Sequence, residues 1–308
     1  MAAAAATDMG FDAALGQAWN DHADDPQGVA ARWPALQTLA TDEPQIERLA
    51  ALMHHVHGAH LGEWQRGAAA LQALRALGAY RDDGPSDAAL RRALASLATC
   101  AGEPASAQGL SASDRIRVGA MVVENLVTHA PARAIGLLHE TLDAARHSGL
   151  PDNDPIHRAI AVASHNVACA LEETKNRSAD ERALMILAAQ ASREHWALAG
   201  TWLEVERAEY RLAMTWLQAD DPAQAREHAQ ACLAIVAAND GAALERLFGW
   251  EALGLAALVA GHADEHAYAL AMAREAFGAL SADDQGWCAE TIAKLASTTG
   301  PAPPSRDS

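Results

Sequence analysis

The sequence predicts an all-α fold: a solenoid of about seven antiparallel helical hairpins, forming one domain over residues 10–297. Three observations predict it. The chain of 308 residues is 50% hydrophobic but only 5% aromatic, so Ala and Leu carry most of the packing. That favours close helix–helix contact, because Ala leads the helix scale and β-rich runs are absent. From Trp202 to Leu280, two hairpins follow one plan. Finally, four first helices present Asn125-Leu126, Asn166-Val167, Arg211-Leu212 and Ala252-Leu253 at one point, in steps of 41, 45 and 41 residues. A single hairpin cannot bury its apolar face alone, and a recurring one builds a core that grows with each unit.

The elements follow in order. Residues 1–9 are expected to be a disordered tail. Phe11–His22 reads as a helix stopped by Asp24-Asp25-Pro26, and a second helix runs to Ala40. Pro44–His57 and Glu63–Leu77 make the next pair, joined through Gly58 and Gly62. After a turn at Arg81–Pro85 comes the helix Ala88–Thr99, then a small-residue loop at Ala101–Gly109. Ser113–His129 with Pro131–His147, and Pro155–Glu173 with Ala179–Trp196, form two hairpins, and Ser178 is placed to cap the helix after it.

In the organising stretch, Val205, Ala208, Leu212 and Trp216 make a stripe at helical spacing. Asp220-Asp221-Pro222 stops that helix, and Ala225, Ala229, Cys232, Leu233 and Val236 stripe the return. Trp250, Leu253, Gly254 and Ala257 repeat the plan, Gly261 turns the chain, and Leu270, Ala273 and Phe277 follow. Ala282–Ser297 is a last, capping helix. Residues 298–308, with Gly300-Pro301-Ala302-Pro303-Pro304, are expected to be a disordered tail.

Trp250-x2-Leu253-Gly254, with Ala273 further on, resembles the tetratricopeptide repeat. Ala257, His266, Leu270 and Gly278 depart from that pattern. The preceding hairpin matches through Leu212, Ala213, Trp216 and Ala225, although Glu209 holds the Trp position. Leu61-Gly62-Glu63-Trp64, Gly67 and Leu71 resemble a turn and second helix of the same repeat. The resemblance implies a right-handed superhelix whose first helices line a concave, peptide-binding groove. It places Asn125 and Asn166 where the family often uses Asn to hold a ligand's backbone. Glu124, His165, Arg207, Tyr210, Arg211, Met214, Phe248 and Glu251 lie around them. With Glu124, His165 and Glu251 on these faces, and only Arg207 and Arg211 as cations, a clamp for a chaperone's terminal carboxylate is not expected. Such arrays also serve as sensor regions of bacterial regulators, but no helix-turn-helix or nucleotide-binding segment accompanies this one.

The formal net charge of −17 argues against nucleic acid or an anionic membrane as partner, while tolerating a basic one. Cys100, Cys169, Cys232 and Cys288 lie 69, 63 and 56 residues apart, so buried free thiols are expected rather than disulfides or zinc ligands. Met1–Gly10 lacks the basic segment of a secretory signal, and no stretch approaches a membrane span. A cytoplasmic home follows as the expectation.

The expected function is therefore non-catalytic: a protein- or peptide-binding scaffold without a cofactor. There is no phosphate loop, nucleophile elbow or framed carboxylate pair. Two alternatives remain open. His262-Ala263-Asp264-Glu265-His266 matches the short inverted zinc-protease pattern, and His54, His55, His57 and His60 form the densest imidazole cluster. In that cluster His54 with His57, and His57 with His60, are expected to share a face for Zn²⁺ or Ni²⁺. Alternatively the chain is a structural subunit whose concave face packs on a sister chain.

Overall fold

The computed structural model describes residues 10–103 and 109–297. The two tails and the centre of the Ala101–Gly109 loop lie outside these residues. Among the described residues there are fifteen α-helices and no strand, and no helix is long and apolar enough to cross a membrane.

The helices are α1 (Phe11–Asp21), α2 (Pro26–Ala30), α3 (Trp33–Leu39), α4 (Glu43–His55), α5 (Trp64–Gln72), α6 (Pro85–Cys100), α7 (Ala112–Leu126) and α8 (Pro131–His147). They continue as α9 (Ile156–Glu173), α10 (Ala179–Ala199), α11 (Trp202–Gln218), α12 (Pro222–Ala238), α13 (Ala243–Ala260), α14 (Ala263–Gly278) and α15 (Ala282–Ala296). Contacts group them into two compact units, residues 1–150 and 151–308. No composition shift marks that division, and the single array read from the sequence runs straight through it.

Short polar side chains start several of these helices by accepting the first free backbone N–H groups. Asp42 accepts from Gln45 N at 2.9 Å, and Asp221 from Gln224 N at 3.1 Å. Ser178 caps α10 as expected, and Glu181 returns the bond to its backbone, completing a capping box. Gly261, at φ 76°, ends α13 in the left-handed region that glycine enters without a Cβ penalty.

Two elements differ from the sequence reading. The helix expected to run to Ala40 is split into α2 and α3. Pro34 sits in the first turn of α3, and a proline ring clashes with the carbonyl four residues back, here Ala30. Nor does Gly58 end the helix before it. α4 passes into a π turn, Val56–His60, in which Leu61 N donates to Val56 O at 3.0 Å.

In the first unit α4 lies among α1, α3, α5 and α6, and Ile46, Leu49, Leu52 and Met53 pack with Leu15, Trp33, Leu71, Leu90 and Leu97. α7 joins α6, α8 and the π turn. Its Asn125 is completely buried, with Nδ2 donating to His54 Nε2 at 3.0 Å and Ser96 Oγ at 3.1 Å. In the second unit α9 pairs with α10, α11 with α12, and α13 with α14, while α11 also touches α9 and α13. Leu126, Val167, Leu212 and Leu253, the four positions in phase, are all buried.

The side chain of Asn125, on α7, lies close against Gly58 of the π turn. A Cβ on Gly58 would stand 2.2 Å from Asn125 Oδ1. Gly58→Ala is therefore expected to destabilise the protein by about 1–3 kcal/mol, despite alanine's better helix propensity. In an Asn125→Ala background most of that cost should disappear. Denaturant unfolding of the two single variants and the double variant measures the coupling; additive effects would contradict the contact.

Candidate functional site

The residues expected to line a groove fall in both units. In the second unit two of them, Tyr210 and Glu251, bond to each other, and Arg211 bonds to a further residue, across neighbouring helices. Tyr210 on α11 donates its hydroxyl to Glu251 Oε2 on α13 at 2.9 Å, and Glu251 is only 5% exposed. Arg211, also on α11, pairs with Glu172 on α9 at 2.5 Å, and Thr215 donates to the second Glu172 oxygen at 2.6 Å.

These pairings leave clear electrostatic marks. Burial raises the Glu251 carboxyl above its ordinary range, and the Tyr210 hydrogen bond opposes that shift. Burial also raises Glu172, with Arg211 pulling the other way. Tyr210 is held well above the usual phenol range by burial and by Glu251. These pairs tie α9, α11 and α13 together, although Arg211 Nε stays buried without a hydrogen-bond partner.

The other predicted residues are more accessible. Arg207 keeps a largely exposed guanidinium, 3.4 Å from Glu245. Asn166 is half-buried on α9, and His165 Nε2 lies 3.5 Å from Cys169 Sγ. Met214 is half-buried and packs with the apolar clusters of α11 to α15. Phe248 meets Tyr210 edge to face at 5.4 Å on one side and Trp287 at 5.7 Å on the other.

Trp287, on α15, is 68% exposed. With α15 expected only as a cap, Trp287 is not among the residues predicted for the groove. The available signal was that Trp287 falls off the buried stripe of Cys288 and Leu295. Tyr210, Phe248 and Trp287 thus form a row of rings on α11, α13 and α15, closed at one end and open to solvent at the other.

In the first unit the expectation for Asn125 needs correcting. Its side chain is enclosed by His54 and Ser96, so it is a structural polar residue of the core and not a groove residue. Its neighbour Glu124, about 100° around the helix, faces His55 instead, with Oε1 3.1 Å from His55 Nδ1.

The two histidine alternatives also change. His54 belongs to the Asn125 network, and His57 Nε2 accepts from Trp33 Nε1 at 3.0 Å, so neither shares a metal-facing surface. His55 and His60 do meet, at 3.1 Å between Nε2 atoms, and His22 from α1 joins them. His262 Nδ1 lies 3.5 Å from Glu265 Oε2, but His266 and Glu265 each have another partner. His266 Nδ1 donates to Gly254 O at 3.0 Å, and Glu265 is held by Arg226 at 2.8 Å.

Compared with family models, curated proteins and solved structures, the chain finds no match.

His165 and His195 are each pushed down to about 4, chiefly by burial, with Arg211 and His157 respectively adding to the shift. The folded state therefore binds these protons less readily than the unfolded chain. Their stabilising contribution is complete above about pH 6.5 and is lost as the pH falls toward 4. The unfolding free energy of the wild type should drop more steeply over that window than that of His165→Gln/His195→Gln. Parallel pH profiles would contradict the assignment.

Proposed function

We propose that this chain is a non-catalytic scaffold that binds an extended peptide or protein segment along the first helices of its second unit. The observation that carries this reading is the row Tyr210, Phe248 and Trp287, one ring on each of α11, α13 and α15. A large indole left 68% exposed, and supported from beneath by a second ring, is a suitable anchor for a partner's side chain. The Tyr210–Glu251 and Arg211–Glu172 pairs hold together α9, α11 and α13, two of which carry Tyr210 and Phe248, so little ordering of those two rings is left to be done on binding.

In this reading the second unit stacks its hairpins as a right-handed, tetratricopeptide-like array, with α9, α11, α13 and α15 as successive first helices. Buried Val167, Leu212 and Leu253 at repeating positions support that phase. The chemistry around Trp287 points to a basic partner. Asp283 and Glu290, four residues before and three after, are both exposed and share its helix face. A Lys or Arg placed on the indole would gain a cation–π contact and two nearby carboxylates.

Selection of random peptides on the immobilised chain tests this directly. Peptides carrying Lys or Arg beside an apolar residue should be enriched, and should bind Trp287→Ala about tenfold more weakly or worse. Trp287 is exposed enough for the variant to keep its fold. Failure to enrich any basic sequence, or equal binding to both proteins, would overturn the proposal.

A further inference from the structure

We propose a metal site in the first unit: His22, His55 and His60 form a three-imidazole centre for Zn²⁺, with Glu124 as the positioning residue behind His55 and a fourth coordination place facing solvent. The site is separate from the peptide surface argued above, and does not depend on it.

The three side chains come from three different local structures. His22 follows the last turn of α1, His55 is the last residue of α4, and His60 closes the π turn. One ligand atom from each lies within 4.8 Å of the others. Their ring centroids are 4.8 to 5.1 Å apart. Two nitrogens bound to one tetrahedral Zn²⁺ at about 2.0–2.1 Å stand about 3.3 Å apart. The His55–His60 pair, at 3.1 Å, is already near that spacing. No separation has to close by more than about 1.5 Å, within reach of side-chain rotation at half-buried positions.

Hydrogen bonding selects which nitrogen faces the centre. His22 Nδ1 lies against the carbonyl oxygen of Trp19, which can only accept, so this nitrogen carries the proton and Nε2 keeps its lone pair. His55 Nδ1 lies 3.1 Å from Glu124 Oε1, with the same consequence for its Nε2. An imidazole that donates its outer N–H to a carbonyl or carboxylate while the other nitrogen points inward is the arrangement that orients histidine ligands around metals.

Without metal, His60 Nε2–H donates to the lone pair of His55 Nε2. Zn²⁺ would take both lone pairs once the His60 proton moves to Nδ1, a change of tautomer with no net proton release.

The backbone makes the juxtaposition possible. In a continuous α-helix, residues five apart point about 140° away from each other. The π turn, with its i+5 hydrogen bond from Leu61 to Val56, brings His60 back to the side of His55. Such turns are rare and concentrate at functional sites. Trp19 packs against both His22 and His55, walling one side of the cluster. A set of three nitrogens with a carboxylate behind one of them suits Zn²⁺, which takes imidazole readily and needs no sulfur.

The test uses the untagged full chain, stripped with chelator and dialysed against ZnCl₂, with bound metal counted by mass spectrometry. One Zn²⁺ per chain is expected. His22→Gln and His60→Ala should each weaken binding at least tenfold, and Glu124→Gln should weaken it about 10- to 100-fold. His266→Ala should bind as the wild type does. His22 lies at a half-buried helix end, so His22→Gln keeps the test valid if His60→Ala fails to fold. Less than a tenth of an equivalent bound to the wild type, or full binding retained by His22→Gln, would overturn the site.

Discussion

Every cross-helix polar contact described for the buried carboxylates of the second unit has α11 on one side. Glu172 comes from α9 to Arg211 and Thr215. Glu245 and Glu251 come from α13 to Arg207 and Tyr210. On its other sides, α11 sends Glu209 to Arg193 and His228, and Glu206 accepts from the Cys232 thiol. An Ala-rich interface allows helices to slide, because small side chains interdigitate weakly. A buried carboxylate with one partner in reach does not, since losing that partner leaves a desolvated group unpaired. These contacts set the register of α9, α11 and α13, and so align the rings above them.

Asn125 plays the corresponding part in the first unit. It joins α4 through His54 and α6 through Ser96, and its amide lies against the Cα of Gly58 in the π turn. Packing there fixes the backbone between His55 and His60 and presents the neighbouring Glu124 to His55. A residue that first reads as a ligand-holding amide is instead the internal brace of the histidine cluster.

Much of the architecture was legible in the sequence because helix punctuation is local. Asp221-Pro222, Ser178 with Glu181, and Gly261 each act within four residues, and the structure places helix ends at all of them. What depended on distant partners was not legible. The burial of Asn125 is decided by Ser96 and His54, 29 and 71 residues away. The π turn depends on the same contact, so a regular 100° periodicity put His57 and His60 together and left His22 out. Trp287 was overlooked for a different reason: stripe analysis looks for buried positions, and an anchor for a partner lies off the stripe.

The central claim is that the second unit offers one binding surface, along α11, α13 and α15. Hydrogen exchange of the full chain, measured with and without a selected basic peptide, tests it most directly. Protection is predicted in residues 202–218, 243–260 and 282–296, with α12 and α14 unchanged. Protection confined to α12 and α14, or absent from α15, would contradict the account.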